Sequence, residues 1–494
     1  MSGKGLDLLL VNAGGAKKRI YQELSEDYSA VEPPFWAALT AGFIRNKGYS
    51  VDVLDANAEN LNVEESGRRI VDANPGLVNI VVYGQHPSAS TQLMSSVGEL
   101  CKEIKRTDHS ERKIILTGLH PSALPERTLR EEACDFVAQG EGFHTLLGLL
   151  QKRNLSEIPG LWRRDNGKII GNLRAKNIEN LTLEMGDVAW DLLSLDRGKY
   201  KAHNWQCLDD FSARSHYASL STSLGCPFKC DFCSVHQTFG ERKIRYWSSQ
   251  WTIDQISTLT EKYGVKVFKI IDELFIFNPE HYMGIADGLI DRGLGKEINI
   301  WAYARVDTIK EKYLERLREA GFKWLCIGFE SGNEKILKEV HKGNFTGEDM
   351  IKIRDRVKSF DINVLGNYMF GFPEDNIKTM QETLDLATEQ NCEFANFYCA
   401  TAWPGSQLYE RVVASGHELP KSWGDYAQHA YGFHPLPPNE INSRKVLEFR
   451  DHAFHKYFEN PRYLNMIENR FGLKAREHIE NMTKIKLKRE LFGD

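Results

Sequence analysis

The N-terminal third of the chain alternates between short apolar runs and segments whose apolar residues recur every three or four positions. The runs have the length of strands and the intervening segments have the period of helices. Such alternation predicts a parallel sheet with helices on both faces, joined by right-handed crossovers. The predicted strands cover 6–12, 49–55, 77–84, 112–118 and 134–140, and the predicted helices 33–48, 63–74 and 90–106. The pattern therefore predicts one Rossmann- or flavodoxin-like domain at 1–150.

A second series of alternating strands and helices begins at residue 217. Six βα units predict a partial parallel barrel, of the kind whose ligands bind on the loops that follow the strands. The predicted strands cover 217–225, 265–272, 298–305, 323–330, 363–371 and 394–401. We place this (βα)6 partial TIM barrel at 211–410, after a connecting region at 151–210 and before a helical region at 411–494. The fold class is thus α/β with a helical C-terminal region.

Two shorter segments have patterns of their own. The connecting region contains a stretch typical of a small β-hairpin, at 158–170. The last residues of the chain are rich in lysine and arginine, which predicts a solvated helical face.

Composition narrows the class of protein. The chain has 494 residues, 41% of them hydrophobic and 27% charged, as in soluble globular proteins. A formal net charge of −5 gives no electrostatic case for nucleic acid or an anionic membrane as partner. No apolar run approaches the roughly 18 residues of a membrane span, and the first apolar run is a poor signal peptide. We therefore predict a cytoplasmic protein that binds no nucleic acid and has no membrane span.

Three of the nine cysteines lie close together in the loop after the first barrel strand: Cys226, Cys230 and Cys233. Thiols stay reduced in the cytoplasm, so the cluster favours metal binding over disulfides. A structural zinc site needs four ligands, and His236 could supply the fourth, so zinc remains an alternative. Three soft thiolates favour an iron–sulfur cluster with one open iron. The other cysteines are interpreted as small buried hydrophobes: Cys101, Cys134, Cys207, Cys326, Cys392 and Cys399.

Glycine, proline and small polar residues follow each of the five N-terminal strands. In open parallel sheets, ligands bind at the carboxyl ends of the strands, and glycine lets backbone N–H groups approach a ligand closely. Ordinary turn chemistry explains any single loop. Five such loops, two of them containing the sequence HPSA, favour a bound cofactor. The cofactor is not a nicotinamide dinucleotide, because G-x-G-x-x-G is absent after the first strand.

The Cys-x3-Cys-x2-Cys motif, with Asp231 and Phe232 before the last cysteine, resembles that of the radical S-adenosylmethionine superfamily. The segments LDANAEN, GLHPSALPE and GEGF resemble the B12-binding domain that precedes the barrel in one branch. The resemblance implies a [4Fe–4S] cluster on the three cysteines, whose open iron binds S-adenosylmethionine and yields a 5′-deoxyadenosyl radical. It also implies cobalamin. The D-x-H-x-x-G motif is absent, so no protein histidine is expected on cobalt.

The resemblance also implies contacts to S-adenosylmethionine at the ends of four barrel strands. Asp272 and Glu273 would contact its amino group, and Arg305 would contact its carboxylate. Glu330 and Ser331 would lie near the ribose and the carboxylate, and Gly371 and Pro373 would lie near the adenine. Glu273 stands where this branch usually has an aspartate. Taken alone, each acidic residue could equally be a helix N-cap or a first-turn charge.

The implied cobalamin contacts lie on the loops after the N-terminal strands. Phe143 departs from the branch, which often has a second glutamate there. Two histidines on this rim each precede a proline, so we interpret them as loop-shaping groups rather than cobalt ligands. The implied contacts are Asn12, Asp55, Asn57, Gly84, His86, Gly118, His120, Pro121, Gly140, Glu141 and Gly142.

The first hypothesis for function is a cobalamin-dependent radical methyltransferase acting on an sp³ carbon. The alternative keeps the same cofactors but performs a non-methylating radical reaction, such as oxidative cyclisation or ring contraction. A B12- or metal-sensing regulator is disfavoured because no DNA-binding motif is visible, and a methylthiotransferase because further N-terminal cysteines are lacking.

The implied partners are a small-molecule or peptide substrate and an external low-potential electron donor of the flavodoxin or ferredoxin type. Five aromatic residues are candidates for a substrate cavity, although core packing is the commoner role of such residues. They are Tyr200, Trp205, Trp403, Trp423 and Tyr431.

Overall fold

The computed structural model describes residues 5–84 and 89–494. The N-terminal domain is built on a sheet in the order β2-β1-β3-β4-β5-β6-β7. The first five strands are parallel, which confirms the predicted Rossmann- or flavodoxin-like sheet. The strands are β1 (Leu8–Asn12), β2 (Val51–Asp55), β3 (Leu77–Val82), β4 (Lys113–Gly118), β5 (Phe136–Ala138), β6 (Leu161–Asp165) and β7 (Lys168–Gly171).

Strands β6 and β7 form the hairpin that the connecting region predicted. The hairpin pairs antiparallel with β5 and extends the N-terminal sheet. The helices of this part of the chain are α1 (Lys17–Tyr21), α2 (Phe35–Asn46), α3 (Val63–Ala73), α4 (Ala89–Thr107), α5 (Leu119–Ala123), α6 (Pro125–Glu131), α7 (Phe143–Leu150) and α8 (Leu181–Met185).

Alternate residues of β1 point to opposite faces of this sheet and into two different cores. Leu9 and Val11 pack in one core with helices α3 and α4. Leu8 and Leu10 pack on the other face, in a core that continues into the C-terminal half of the molecule. All these side chains are buried, as expected for a sheet covered on both faces.

The second sheet has six parallel strands in the order β15-β14-β13-β12-β11-β8, which is the predicted half-barrel. The predicted strand at 217–225 divides into β8 and β9, and β9 leaves the barrel to pair antiparallel with β10. The strands are β8 (Tyr217–Leu220), β9 (Ser223–Leu224), β10 (Arg245–Tyr246), β11 (Val267–Ile270), β12 (Asn299–Arg305), β13 (Phe322–Glu330), β14 (Asn363–Phe370) and β15 (Phe394–Cys399).

Helices separate the barrel strands as predicted. They are α9 (His236–Phe239), α10 (Ser249–Tyr263), α11 (Pro279–Asp291), α12 (Leu314–Glu319), α13 (Glu334–Glu339), α14 (Gly347–Ser359), α15 (Ile377–Gln390) and α16 (Gln407–Ser415).

The C-terminal region is helical, with α17 (Ser443–Phe458), α18 (Pro461–Phe471) and α19 (Leu473–Thr483). Its basic end is only partly the predicted solvated face. Lys484, Lys486 and Lys488 are exposed, but Arg489 is fully buried and paired with Asp451. None of the helices in the described residues is long and apolar enough to cross a membrane.

Candidate active site

The cysteine loop connects β9 to the short helix α9 at the mouth of the half-barrel. All three of its thiols are partly exposed, whereas the other six cysteines are buried, as predicted. Gly225 begins the loop with φ +101°, and a Cβ there would collide with the carbonyl oxygen of Lys243. Only glycine fits this conformation without strain, so the loop is held close to the β9–β10 hairpin.

Desolvation of the thiols raises the pKa of Cys226 to about 11 and that of Cys233 to about 12. These two thiols are therefore protonated at neutral pH, and metal binding has to release their protons. Three partly exposed thiols in one short loop fit an iron–sulfur cluster by donor chemistry.

His236 would supply the fourth ligand of the alternative zinc site, but in this structure its side chain stabilises the cysteine loop. Its Nε2 lies 2.6 Å from the carbonyl oxygen of Phe228, so that nitrogen donates a hydrogen bond to the backbone. In residues 5–84 and 89–494, no group of three or more His, Cys, Asp or Glu side chains is arranged to hold a single metal ion.

Arg305, at the end of β12, clamps the cysteine loop. Its guanidinium forms a two-pronged ion pair with Asp307 at 3.0 Å and lies 3.7 Å from the centre of the Phe228 ring. Its Nη1 is 3.6 Å from Cys230 Sγ, and its Nη2 donates to the carbonyl of Lys342. The side chain predicted to meet a carboxylate is thus already engaged, and its positive charge faces the middle cysteine.

The two acidic residues after β11 face different ways. Both oxygens of Asp272 accept hydrogen bonds, from the backbone and hydroxyl of Thr222 and the hydroxyl of Ser223, all at 2.6 Å. Asp272 is fully buried, and it ties β11 to the β8–β9 junction. Glu273 lines the cavity beside the cysteines and accepts a hydrogen bond from the Gly225 N–H at 3.1 Å. Desolvation raises the pKa of Glu273 to about 8, and the neighbouring Asp272 raises it further.

Glu330 ends β13 beside a bulge, with the left-handed φ of +63° that non-glycine residues seldom adopt. Its Oε1 accepts a hydrogen bond from Lys342 Nζ at 2.7 Å, and both side chains are only 9% exposed. Lys342 was not predicted from the sequence. Ser331 is buried, its hydroxyl 3.2 Å from that of Thr383, so it serves the turn after β13.

The loop after β14 is closed by Asp375, whose Oδ2 accepts hydrogen bonds from the N–H groups of Gly371 and Phe372 at 2.9 Å. Pro373 follows, and its carbonyl oxygen accepts the N–H of Asn439. Phe372 packs on Phe232 of the cysteine motif with ring centres 5.5 Å apart. The loop predicted to shape the adenine edge therefore contacts the cysteine loop directly.

A cavity open to solvent lies beside Cys226 and Cys233; we call it the cluster-side cavity. Cys226, Cys233, Glu273 and Glu330 line it, together with Asp272. The barrel mouth thus brings together the cysteines and the acidic residues predicted for S-adenosylmethionine.

A second cavity lies at the carboxyl ends of β1 and β3 and is called here the rim cavity. Asn12, Asn57 and Gly84 line it, as predicted for a cofactor rim. The Asp55 carboxylate is already engaged in hydrogen bonds. It accepts one from Asn12 Nδ2 at 2.8 Å and one from the Tyr200 hydroxyl at 2.9 Å, and the first of these fixes Asn12 at the cavity wall.

The buried position of Asp55 predicts a pH dependence of stability. Burial raises its pKa to about 6, so ionisation is disfavoured in the folded protein. Because folding raises this pKa, the protonated carboxyl group contributes stability that is fully present below about pH 4. That contribution is lost as the pH rises through 6. The free energy of unfolding of the native apoprotein, relative to Asp55→Asn, should fall by about 2–3 kcal/mol between acidic and neutral pH. Denaturant titrations measure it; a difference that stayed constant or grew would contradict the burial argument.

The loop after β4 is packed rather than open. Gly118 has φ +130°, and a Cβ there would collide with the carbonyl oxygen of Val82. His120 is buried, with Nδ1 3.1 Å from the Thr91 hydroxyl, and burial lowers its pKa to about 3. This agrees with the loop-shaping role predicted for it. Pro121 is buried beside it in α5, and His86 lies outside the described residues.

The loop after β5 connects the two domains. Glu141 forms a buried, two-pronged ion pair with Arg245 of β10, and its Oε2 also accepts the N–H of Ile178 at 3.2 Å. The Glu141 carboxylate, which the resemblance assigned to cobalamin, therefore contacts the barrel domain in this structure. Gly140 donates its N–H to the Ser122 hydroxyl at 2.8 Å, and Gly142 precedes α7.

The rim cavity and the cluster-side cavity adjoin one another. Ile271, directly after β11, lines both, and so does Gln92 in the first turn of α4. Glu32, from the segment before α2, reaches across to Lys269 of β11 at 3.0 Å and to the hydroxyl of Tyr217 at 2.7 Å. Ligands in the two cavities would therefore face each other.

Two family profiles match the chain. That of the B12 binding domain matches residues 26–150, and that of the Radical SAM superfamily matches residues 220–387. The chain is also 30% identical over 399 residues to the uncharacterized methyltransferase PH0819 of Pyrococcus horikoshii, covering 80% of this chain and 81% of that protein. The chain belongs to the radical S-adenosylmethionine enzymes with a B12-binding domain.

Two further similarities extend over most of the chain. The anaerobic magnesium-protoporphyrin IX monomethyl ester cyclase of Rubrivivax gelatinosus is 24% identical over 445 residues, covering 87% of this chain and 75% of that protein. The solved radical S-adenosylmethionine methyltransferase TsrM from Kitasatospora setae superposes with a TM-score of 0.70 at 13% identity, covering 97% of this chain and 99% of that one. At that identity the superposition concerns the fold.

In this radical S-adenosylmethionine enzyme, the five candidate aromatic residues lie in different places. Trp205 lines a cavity inside the barrel, and Trp403 lines the cluster-side cavity. Tyr200 binds Asp55, and Trp423 packs over His120 on the N-terminal domain with ring centres 4.5 Å apart. Tyr431 is 45% exposed. Of the five, Trp205 and Trp403 line the cavities in and beside the barrel mouth.

Several site residues were missed because their partners are distant in sequence. Gln92, Lys342, Glu32 and Lys269 carry no motif of their own. Lys342 lies in the loop between α13 and α14, and nothing in its local sequence indicates that it is buried against Glu330.

Proposed function

We propose that the protein is a cobalamin-dependent radical methyltransferase that methylates an unactivated sp³ carbon. The observation that carries this proposal is the adjacency of the rim cavity and the cluster-side cavity, which share Gln92 and Ile271. A substrate placed there would contact both cofactors. The similarity to a methyltransferase over four fifths of the chain supports the same reaction.

The residues fit the cofactors by their chemistry. Cys226, Cys230 and Cys233 would hold the [4Fe–4S] cluster, and Asn12, Asn57 and Gly84 would contact cobalamin. When bound, the cluster with S-adenosylmethionine supplies hydrogen-atom abstraction, and methylcobalamin supplies a methyl group. Among the other described rim residues, Asp55, Gly118 and His120 shape these loops and do not line the rim cavity.

Within the cluster-side cavity, each polar group has a distinct task. Glu273 would accept the ammonium of S-adenosylmethionine, because its partly buried carboxylate lines the cavity beside the cysteines. Asp272 holds the strand beneath it, and Arg305 holds the cysteine loop and places positive charge beside Cys230. Glu330, fixed by Lys342, would meet the ribose hydroxyls. Phe372 packs on Phe232 and closes the adenine side to water.

The proposal is tested without knowing the substrate. The protein is reconstituted anaerobically with iron, sulfide and cobalamin, reduced with titanium(III) citrate, and supplied with S-adenosylmethionine. We expect iron for one cluster and cobalt for one cobalamin per chain, 5′-deoxyadenosine, and S-adenosylhomocysteine formed as cobalamin is methylated. Deoxyadenosine without S-adenosylhomocysteine would contradict methyl transfer. Iron without cobalt would refute the role of the N-terminal domain.

A non-methylating radical reaction is the second candidate. The similarity to a cyclase over 87% of this chain favours it. The two candidates differ in the fate of S-adenosylmethionine, because a cyclisation or ring contraction consumes no methyl group.

Asn57 gives a specific prediction for the rim cavity. Replacing it by leucine removes a polar group from the cavity wall and adds bulk, so we expect cobalamin affinity to fall at least about tenfold. S-Adenosylmethionine affinity should be unchanged. Equilibrium dialysis with each ligand measures both, and Asn465→Leu, at an exposed position of helix α18, is the matched control. Equal losses of both affinities would contradict the assignment of the rim cavity to cobalamin.

The proposed partners are a small-molecule or peptide substrate and an external low-potential electron donor of the flavodoxin or ferredoxin type. We place the enzyme in the cytoplasm, where the three cysteines stay reduced before the cluster is assembled.

A further inference from the structure

A third cavity lies in the interior of the half-barrel and is called here the barrel cavity. It shares Tyr303, Asn367 and Tyr398 with the cluster-side cavity. It shares Tyr21 with the rim cavity, and Gln92 lines all three. The barrel cavity is therefore the space from which a bound molecule can reach both cofactor sites.

The charged side chains in the wall of the barrel cavity are already engaged. Lys269 Nζ lies 3.0 Å from Glu32 Oε1. Arg450 uses each of its guanidinium nitrogens, with Asp451 at 2.7 Å, the carbonyl of Phe397 at 2.9 Å and His429 Nε2 at 3.4 Å. A charged substrate group would have to break one of these pairs to gain a counter-ion.

The two histidines of this wall are neutral at physiological pH. Burial lowers the pKa of His429 to about 3, and the nearby arginines lower it further. Burial also lowers the pKa of His203, although its hydrogen bond to Glu32 acts in the opposite direction. Neither ring supplies a positive charge to the barrel cavity.

Four neutral polar side chains in this wall, in contrast, make no hydrogen bond with the described residues. Within the part of the chain that the structure describes, the hydroxyls of Tyr21, Tyr303 and Tyr398 and the carboxamide of Gln92 make no hydrogen bond, although all four side chains line the barrel cavity. Aromatic rings form much of the remaining wall. Trp205 and Trp301 meet edge to face with ring centres 5.2 Å apart.

We infer that the barrel cavity binds an uncharged aromatic or heteroaromatic substrate group that exchanges hydrogen bonds with these tyrosine hydroxyls and with Gln92. Burying a charge without a counter-ion costs far more than burying a neutral polar group that is hydrogen-bonded. Flat rings gain additional energy from edge-to-face and offset contacts with aromatic walls. The inference rests on the proposed function, since it identifies the substrate class of that reaction.

Three naphthalene probes that share a ring system and differ in charge test the inference: 2-naphthamide, 2-naphthoate and 2-naphthylmethylamine. Each is titrated into the reconstituted holoenzyme at neutral pH, and binding is followed by probe fluorescence. We expect the neutral amide to bind at least tenfold more tightly than the anion and the cation. Equal or tighter binding of either charged probe, or binding of none of the three, would overturn the inference.

Conservative variants locate the bound probe. Tyr303→Phe and Tyr398→Phe each remove only a hydroxyl, and Gln92→Leu removes the carboxamide. A lost hydrogen bond should weaken 2-naphthamide about threefold to tenfold in at least one of the three. The matched control is Tyr431→Phe, at an exposed tyrosine outside the barrel cavity. If none of the three variants differs from this control, the probe binds elsewhere and the inference is wrong.

The titration does not depend on turnover. Methyl transfer can fail, as judged by the absence of S-adenosylhomocysteine, while the neutral probe still binds in the barrel cavity. The converse result, S-adenosylhomocysteine production with charge-independent probe binding, would leave the proposed function intact and reject the substrate class.

Discussion

Replacing Cys230 by alanine is expected to abolish cluster assembly and, with it, 5′-deoxyadenosine formation and methylation. Three thiolates are fewer than the four that usually hold a [4Fe–4S] cluster, so the loss of one leaves two. Every cysteine outside the loop is buried and cannot substitute. Turnover of S-adenosylmethionine to deoxyadenosine should fall by at least about 10²-fold.

The measurement is iron content and electron paramagnetic resonance after anaerobic reconstitution, together with deoxyadenosine assays. Cys207→Ala is the matched control, because Cys207 is buried beneath the barrel and outside the loop. We expect that control to retain its iron. Retention of a full cluster, or of deoxyadenosine formation, in Cys230→Ala would refute the role of the three cysteines.

The two sheets could be predicted because each of their strands carries its own local signal. β3, for example, is buried at all six positions, and every residue in it except Asn79 is apolar. The cysteine loop could be predicted because its three ligands lie within one short segment. The split of residues 217–225 into β8 and β9 could not, since it depends on pairing with β10, some twenty residues further along the chain.

The sequence does not predict which group pairs with a buried charged side chain. Asp272 and Arg305 lie where predicted, at the ends of their strands, but Asp272 binds Thr222 and Ser223, and Arg305 binds Asp307 and faces Cys230. A position at a strand end predicts that a side chain lies at the rim. It does not predict whether that side chain faces the ligand or the neighbouring loop, because that choice depends on the three-dimensional packing.

Glu141 is the clearest example, and it leads to the second large prediction. The carboxylate and Arg245 are 4% and 2% exposed, and their pair joins the loop after β5 to strand β10 of the other domain. Breaking a buried ion pair on one side leaves an uncompensated charge, which costs about 3–5 kcal/mol. Arg245→Met should therefore lower the free energy of unfolding by about that amount.

A double variant distinguishes the loss of the ion pair from the cost of leaving one buried charge without its partner. Replacing both partners with methionine removes both charges, so Glu141→Met with Arg245→Met should recover most of the stability lost in Arg245→Met alone. Urea titrations of the apoproteins measure the three free energies of unfolding. A double variant no more stable than Arg245→Met would contradict the argument.

The same pair decides between two roles for Glu141. If it joins the domains, Glu141→Gln lowers stability and leaves the cobalamin affinity of the folded protein unchanged. If it contacts the cofactor, as the strand-end position predicted, cobalamin affinity falls while stability changes little. The structure favours the first result, because the bidentate contact to Arg245 and the bond from the Ile178 N–H leave this carboxylate turned away from the rim cavity.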